Sequence, residues 1–199
     1  MAEHFSDPYV KRAQAQGWRS RAAFKLEEIQ RRDHLIKPGM TIVDLGAAPG
    51  GWSQYAAGVL SGRGTLIALD LLPMAPLPGV EFIQGDFTEE AVQAKLRERL
   101  AERPADLVLS DMAPNISGQA DVDSSRAMLL AEQALDFARP LLAARGTLLV
   151  KAFQGAGFAA FLKELRGHFE NVATRKPGAS RARSRELYLL AQRPRRAAV

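Results

Sequence analysis

Short apolar runs rich in β-branched residues, each breaking off at a glycine cluster or an ionisable residue, constrain this chain more than any other feature. Thr41–Leu45 (TIVDL), Thr65–Leu69 (TLIAL), Val80–Ile83, Leu107–Leu109 and Thr147–Val150 read as five strands, and Glu186–Ala191 (ELYLLA) as a late one. Helical patterns alternate with them. Residues 20–32 (SRAAFKLEEIQRR) read as a helix capped by Ser20, and WSQYAAGVL as one closed by Gly62 and Gly64. Thr88 is expected to cap a helix with Glu89 and Glu90 in its first turn and Ala91, Val92, Leu96 and Leu100 as its buried stripe. Residues 124–139 form a long helix stopped near Pro140, and Phe158, Phe161, Leu162, Leu165 and Phe169 fall at helical spacing as core. Alternation of this kind specifies an α/β fold around a mostly parallel sheet.

The 199 residues suffice for one domain with a proper core. Without cysteine the chain has no disulfide, thiolate metal site or thiol nucleophile, and His4, His34 and His168 lack metal-ligand spacing, so no metal is expected. No apolar run approaches the ~20 residues of a membrane helix, and the N-terminus is no secretory signal, so the expected location is the cytoplasm. Charge is unevenly spread. Residues 1–32 carry seven Lys/Arg against four Asp/Glu, residues 175–199 eight against one, and the middle twelve against seventeen. If folding joins the two ends they make one positive surface, suited to polyphosphate.

In open α/β sheets ligands bind outside the carboxyl ends of the strands. Asp70, Asp111 and Lys151 follow such strands, and Asp86 comes three residues after one. The loop Asp44-Leu-Gly-Ala-Ala-Pro-Gly-Gly-Trp52 joins the first core strand to its helix. It is not G-x-G-x-x-G, because Ala48 stands where the second glycine is needed, and not a P-loop, because Trp52 replaces the phosphate-binding lysine. An uncharged loop beside an aromatic suits a ligand without phosphates, such as S-adenosylmethionine. Asp70 can accept both ribose hydroxyls, Asp86 can accept from an adenine amino group or hold a loop, and Asp111 lies close to where the methyl group must sit.

DLGAAPGGWSQY (44–55), ALDLLPM (68–74), QGDF (84–87), LSDMAPNISG (109–118), VKAFQG (150–155) and SRARSRELY (180–188) together resemble the FtsJ/RrmJ-type family of ribosomal RNA large subunit methyltransferases, over about Asp7 to Gln192. The resemblance implies a Rossmann-like S-adenosylmethionine-dependent fold: a seven-stranded, mostly parallel sheet with an antiparallel last strand and helices on both faces. It implies methyl transfer to the ribose 2′-hydroxyl of a uridine in large-subunit (23S) RNA, with the assembled subunit as the expected substrate. The implied catalytic residues are Lys25, Asp111, Lys151 and Glu186, and the implied cofactor contacts are Gly50, Trp52, Asp70, Asp86 and Asp111. A single domain over 1–199 is expected, divided into a basic N-terminal segment and helix (1–32), a catalytic core (33–192) and a basic tail (193–199), acting as a monomer.

A ribose hydroxyl is a poor nucleophile, so the site must align it with the methyl group and remove a proton. Lys151 is the candidate base. A free lysine titrates near pH ~10.4, so a lysine base needs a nearby like charge or burial. Lys25 offers the like charge, whereas Asp111 and Glu186 act in the opposite sense. A cationic Lys151 that stabilises the developing alkoxide is the open alternative. Taken alone, Lys25 also reads as a solvated helix lysine and Glu186 as a surface partner of Arg183 or Arg185. Asp111-Met-Ala-Pro lacks the paired prolines and ring found in many base-amino methyltransferases, which favours oxygen as acceptor.

RNA contacts are expected from Lys11, Arg12, Arg19, Arg21, Arg31, Arg32, Arg181, Arg183 and Arg185, which position rather than specify. Trp18 reads equally as a base-stacking platform or as packing. The rival readings are the same chemistry on transfer RNA or an mRNA cap, and a ribosome-assembly factor that binds RNA without catalysis.

Overall fold

The computed structural model describes residues 7–114, 118–180 and 184–195. The strands are β1 (Thr41–Leu45), β2 (Thr65–Asp70), β3 (Glu81–Gln84), β4 (Ala105–Ser110), β5 (Leu142–Phe153), β6 (Phe169–Arg175) and β7 (Glu186–Pro194). The helices are α1 (Pro8–Ala15), α2 (Ala22–Asp33), α3 (Gly51–Leu60), α4 (Glu90–Leu100), α5 (Ala120–Ala138) and α6 (Phe158–His168). All seven strands form one sheet in the order β3-β2-β1-β4-β5-β7-β6. Neighbours are parallel from β3 to β5, and β7 runs antiparallel to both β5 and β6. The expected sheet, with its antiparallel last strand, is therefore present.

Successive side chains in a strand face opposite sides of the sheet. Val43, Leu45, Val108, Leu148, Val150, Leu187 and Leu189 belong to the core beneath α4, α5 and α6. Ile42, Leu107, Leu109, Leu149, Tyr188 and Leu190 belong to the other core, beneath α2 and α3. Parity then assigns the polar residues among them. Asp44, Asp111, Lys151, Glu186 and Tyr188 all fall in the second set, so the α2/α3 face collects these ionisable groups near the carboxyl ends of β1, β4, β5 and the adjoining end of β7. The strand order reverses between β1 and β4, which opens the crevice where a ligand can enter.

Several local expectations are corrected. Ser20 does not cap α2: the helix starts after Arg21, which makes no side-chain capping bond. Thr88 does not cap α4 either, since Glu89 holds that position and Thr88 instead donates through its amide and hydroxyl to Asp86 Oδ1, at 2.8 and 2.7 Å. A local Asx turn outcompetes the cap. Ala91 is exposed, leaving Val92, Leu96 and Leu100 as the buried stripe of α4. Phe169 is core but opens β6, a strand the sequence reading missed because its apolar residue continues the helical spacing of α6. β5 starts at Leu142 rather than Thr147, through a register shift against β4. The short helix α1, with Asp7 accepting from the Tyr9 amide at 2.9 Å, was also unforeseen.

Candidate active site

Four elements bring the four expected catalytic residues together. Residue 111 follows β4, whose Ser110 pairs with Val150, so Asp111 lies beside Lys151. Lys151 is in turn the direct cross-strand partner of Tyr188. Glu186 sits two residues before Tyr188, hence on the same face. Lys25 comes down on them from α2, where Phe24, Leu26 and Ile29 bury the helix.

The contacts form a chain of alternating charge. Lys25 Nζ is 2.6 Å from Glu186 Oε1, Glu186 Oε2 is 3.8 Å from Lys151 Nζ, and Lys151 Nζ is 2.7 Å from Asp111 Oδ1. Lys151 also donates to the backbone carbonyl of Asp111, at 2.8 Å. Lys25, Lys151 and Glu186 are only 7, 7 and 8% exposed, so neither Lys25 as a solvated lysine nor Glu186 as a surface partner survives. Charges this far out of water persist only when paired and hydrogen-bonded.

Sequence reasoning missed two members of this cluster. The Tyr188 hydroxyl, fully buried, lies 2.6 Å from Asp111 Oδ1 and 3.4 Å from Glu186 Oε1. The Ser180 hydroxyl donates to Glu186 Oε1 at 2.9 Å. The spacing Glu186-x-Tyr188 in a strand was the available signal for Tyr188. Burial raises the Tyr188 pKa well above its usual value, and the negative charges of Asp111 and Glu186 push it further the same way. Tyr188 therefore acts as a neutral donor. Burial would raise the Glu186 pKa, but the Lys25 and Lys151 ammonium groups, with hydrogen bonds from Lys25 and Ser180, hold it below the usual value.

Beside this cluster lies a cleft of about 600 Å³ lined by Gly46, Ala48, Asp70, Asp86, Phe87 and Asp111, among others. Asp70 Oδ2 accepts the Ala48 amide and Oδ1 the Leu72 amide, both at 2.8 Å, so the acid also anchors the glycine loop. Asp86 is used through Oδ1 by Thr88. Gly46 lies at φ +69°, and a Cβ there would sit 2.3 Å from Met112 Cγ, so this position admits only glycine without displacement. A smaller cavity of about 210 Å³ shares Gly46, Ala48 and Asp111 with the cleft and is also lined by Asp44 and Trp52.

The other two expected cofactor residues act less directly. Trp52 is buried, donates its indole N–H to the Ala22 carbonyl at 2.8 Å and packs 5.5 Å from the Tyr188 ring. It touches only the smaller cavity. Gly50, at φ +105°, is the N-cap of α3 and abuts Met74, Leu77 and Arg19 rather than lining the cleft. Below the glycine loop Asp44 is buried and accepts from the Ser53 hydroxyl at 2.6 Å. Burial raises its pKa to about 7 against the lowering effect of that bond, with Asp111 and Asp70 adding to the rise.

The basic residues behave unevenly. Both chain ends do meet: Glu28 accepts the Gly178 and Ala179 amides, at 2.5 and 3.0 Å, and Arg21 bonds the Ala179 carbonyl. Arg21 also pairs with Asp7, and the Arg19 guanidinium is committed to the carbonyls of Pro49, Ala75 and Pro76. Lys11, Arg12, Arg31, Arg32 and Arg185 are exposed, Arg12 over the Phe24 ring and Arg31 paired with Glu27. Arg181 and Arg183 lie outside the described residues. Trp18 packs at 5.9 Å from Tyr55. Among the described residues no group of three His, Asp or Glu is placed to hold a metal ion, and no helix is long and apolar enough to cross a membrane.

A doubly wound sheet with an antiparallel seventh strand, and a switch-point cleft lined by acids instead of a phosphate cradle, defines the Rossmann-like methyltransferase class. The chain belongs to the FtsJ-like methyltransferase family, whose model matches residues 18–194. It is 57% identical over 192 residues to the ribosomal RNA large subunit methyltransferase E of Legionella pneumophila strain Corby, covering 96% of this chain and 93% of that protein. The strain Lens protein of the same name is 56% identical over the same span. A crystal structure of a putative ribosomal RNA methyltransferase from Plasmodium falciparum superposes with a TM-score of 0.81, at 30% identity, covering 89% of this chain and 98% of that one.

Proposed function

We propose that this chain transfers the methyl group of S-adenosylmethionine to the ribose 2′-hydroxyl of a uridine in large-subunit ribosomal RNA, acting on the assembled subunit. The observation that carries this reading is the buried chain Lys25–Glu186–Lys151–Asp111 at the edge of the acid-lined cleft. The names of the relatives support ribosomal RNA as the substrate class.

The donor chemistry of the cleft fits the cofactor. Its volume lies in the range of small-molecule sites. Asp70 and Asp86 offer carboxylate acceptors to a ribose diol and an adenine amino group, Leu71, Leu72 and Phe87 offer apolar walls, and Asp111 favours a cation. A phosphate-bearing cofactor would meet repulsion from the same groups. When bound, S-adenosylmethionine supplies an electrophilic methyl group.

The chain's own residues position the nucleophile. Two of the three free directions around Lys151 Nζ point to Asp111, at its Oδ1 and its carbonyl. The remaining direction, with Glu186 Oε2 3.8 Å away and beyond hydrogen-bond reach, is assigned to the ribose hydroxyl. As a free amine Lys151 accepts the hydroxyl proton there, and as an ammonium it would steady the oxygen as charge builds. We assign Lys151 as the base. Asp111 fixes it, while Glu186 and Lys25 balance the local charge and close the far side of the pocket to water. Residues 33–192 act as one catalytic domain, with 1–32 and 193–199 as basic flanks, in a cytoplasmic monomer.

The test is methyl transfer from radiolabelled S-adenosylmethionine to large subunits isolated from cells lacking this protein, with the product nucleoside identified by mass spectrometry. 2′-O-methyluridine is expected. A base-methylated product would sink the proposal, and so would label confined to transfer RNA.

A further inference from the structure

The end of the sheet opposite the active site carries cations of its own. In sheet order they are Arg63 before β2, Lys37 before β1, Arg103 before β4, Arg145 near the start of β5 and Arg193 near the end of β7, all exposed. The connecting loops touch one another. The Gly39 amide donates to the Arg63 carbonyl at 2.7 Å, and the Arg103 guanidinium reaches Thr65 Oγ1 at 3.4 Å. Thr147 pairs with Gln192, which brings Arg145 and Arg193 to the same edge. Strands are spaced ~4.8 Å apart, so the row spans roughly 20 Å, and Arg145 lies six β5 residues, again roughly 20 Å, from Lys151.

Acids cancel this row only in part. Asp106 accepts the Thr41 amide at 2.8 Å, Glu170 pairs with Arg193 at 3.6 Å, and Glu98 and Glu102 line one cavity with Arg103. Among the described residues Lys37, Arg63 and Arg145 have no carboxylate within ion-pair distance. Helix C-terminal dipoles favour cations at Arg63, Arg103 and Lys37, which closely follow α3, α4 and α2, but Arg145 lies well beyond the end of α5. The large exposed apolar side chains, Leu71, Leu72, Val122 and Leu129, are at the cleft and on α5, not along this edge. An edge of guanidinium and ammonium groups without an apolar centre fits a phosphate backbone better than a protein surface.

We infer that this edge is a second RNA-binding surface, which grips the backbone of ribosomal RNA about one sheet length from the reacting nucleotide. The inference rests on the RNA-substrate reading above. It makes the protein a two-point clamp, in which the active-site end selects the nucleotide and the opposite end adds sequence-independent affinity.

The test is a Lys37→Gln, Arg63→Gln, Arg145→Gln variant of the full chain, with the single variants as a safeguard against misfolding and S-adenosylmethionine affinity as the check on the fold. Binding to a fluorescent RNA duplex of two helical turns is followed by anisotropy against salt. Each lost phosphate contact reduces the slope of log K against log salt by ~0.9, so a decrease of about two to three is expected. KM for large subunits should rise while kcat at saturation stays unchanged. An unchanged slope in a variant of a wild type that does bind overturns the inference and leaves the RNA reading intact. A raised KM with unaltered duplex binding also overturns it, by pointing to a ribosomal protein. A wild type that neither binds the duplex nor methylates subunits removes the RNA reading itself, and the second surface with it.

Discussion

The hydroxyl of Tyr188 and the ammonium of Lys151 converge on one oxygen, Asp111 Oδ1, at 2.6 and 2.7 Å. The two residues are direct cross-strand partners on β7 and β5, so the sheet itself sets this convergence. Asp111 is thereby held from two sides before any substrate arrives, and Lys151 is aimed by an acid that cannot rotate.

Tyr188→Phe is expected to lower kcat by about tenfold or more with little change in KM for the RNA, since a misplaced base costs most in the transition state. Loss of one buried hydrogen bond to a carboxylate should also cost about 1.5–3 kcal/mol of stability. Steady-state kinetics on isolated subunits and thermal melts check both. If kcat holds while only the melting temperature falls, Tyr188 is structural and has no positioning role.

Lys25 and Glu186 form a buried pair at 2.6 Å, 9 and 11% exposed at their side chains. Lys25→Met should strand Glu186 and destabilise the fold by about 3–5 kcal/mol, while Lys25→Met with Glu186→Gln should cost much less than the sum of the single changes. Because the folded-state pKa of Glu186 lies below its unfolded value, its stabilisation is present above the unfolded pKa and is lost as pH falls through the folded one. Melts of the wild type relative to Glu186→Gln should therefore converge in acid. Strict additivity of the two substitutions would show that the pair is not coupled.

Much of this was legible in the residues. The polar tips of the strands and the missing P-loop lysine located the cleft and excluded a phosphate-binding loop. Parity within each strand then explains why Asp111, Lys151 and Glu186 share a face. The misses have physical causes. Phe169 continues a helical spacing although the chain turns at His168, because one buried aromatic serves either element. Thr88 had a cap signature, but Asp86 two residues earlier captured its hydroxyl. Ser180 became visible as a site residue only through its contact with Glu186, and Tyr188, although its spacing from Glu186 was a signal, only through its contact with the distant Asp111. Charge in sequence also does not reveal that carbonyls engage the Arg19 guanidinium and that Asp7 pairs with Arg21.

Lys151→Ala should leave S-adenosylmethionine binding intact and reduce methyl transfer by about 10²–10⁴-fold, the usual range for a lost acid–base group. Calorimetry and single-turnover assays separate the two effects. Retained turnover would remove Lys151 from the role of base.

Asp70→Ala should weaken S-adenosylmethionine by about a hundredfold or more, because hydrogen bonds to a charged group contribute about 1.5–3 kcal/mol each and 1.4 kcal/mol is tenfold in affinity. The glycine loop would also lose its anchor at the Ala48 amide. Calorimetry at fixed ionic strength measures this, and affinity equal to the wild type would refute the ribose assignment.

Asp44 provides the last test, and its sign is opposite to that of Glu186. Its pKa rises from 3.8 to about 7 on folding, burial being the main cause, so the folded chain holds a proton that the unfolded chain releases. Stability is therefore greatest below the unfolded pKa and declines as pH rises through about 7, by as much as roughly 1.4 kcal/mol per pH unit within that window. Asp44→Asn keeps an acceptor for the Ser53 hydroxyl and removes the titration. Without cofactor, the melting temperature of the wild type should fall relative to Asp44→Asn between pH 5 and 8. A difference that stays constant across this range would mean that Asp44 is already ionised at the acid end.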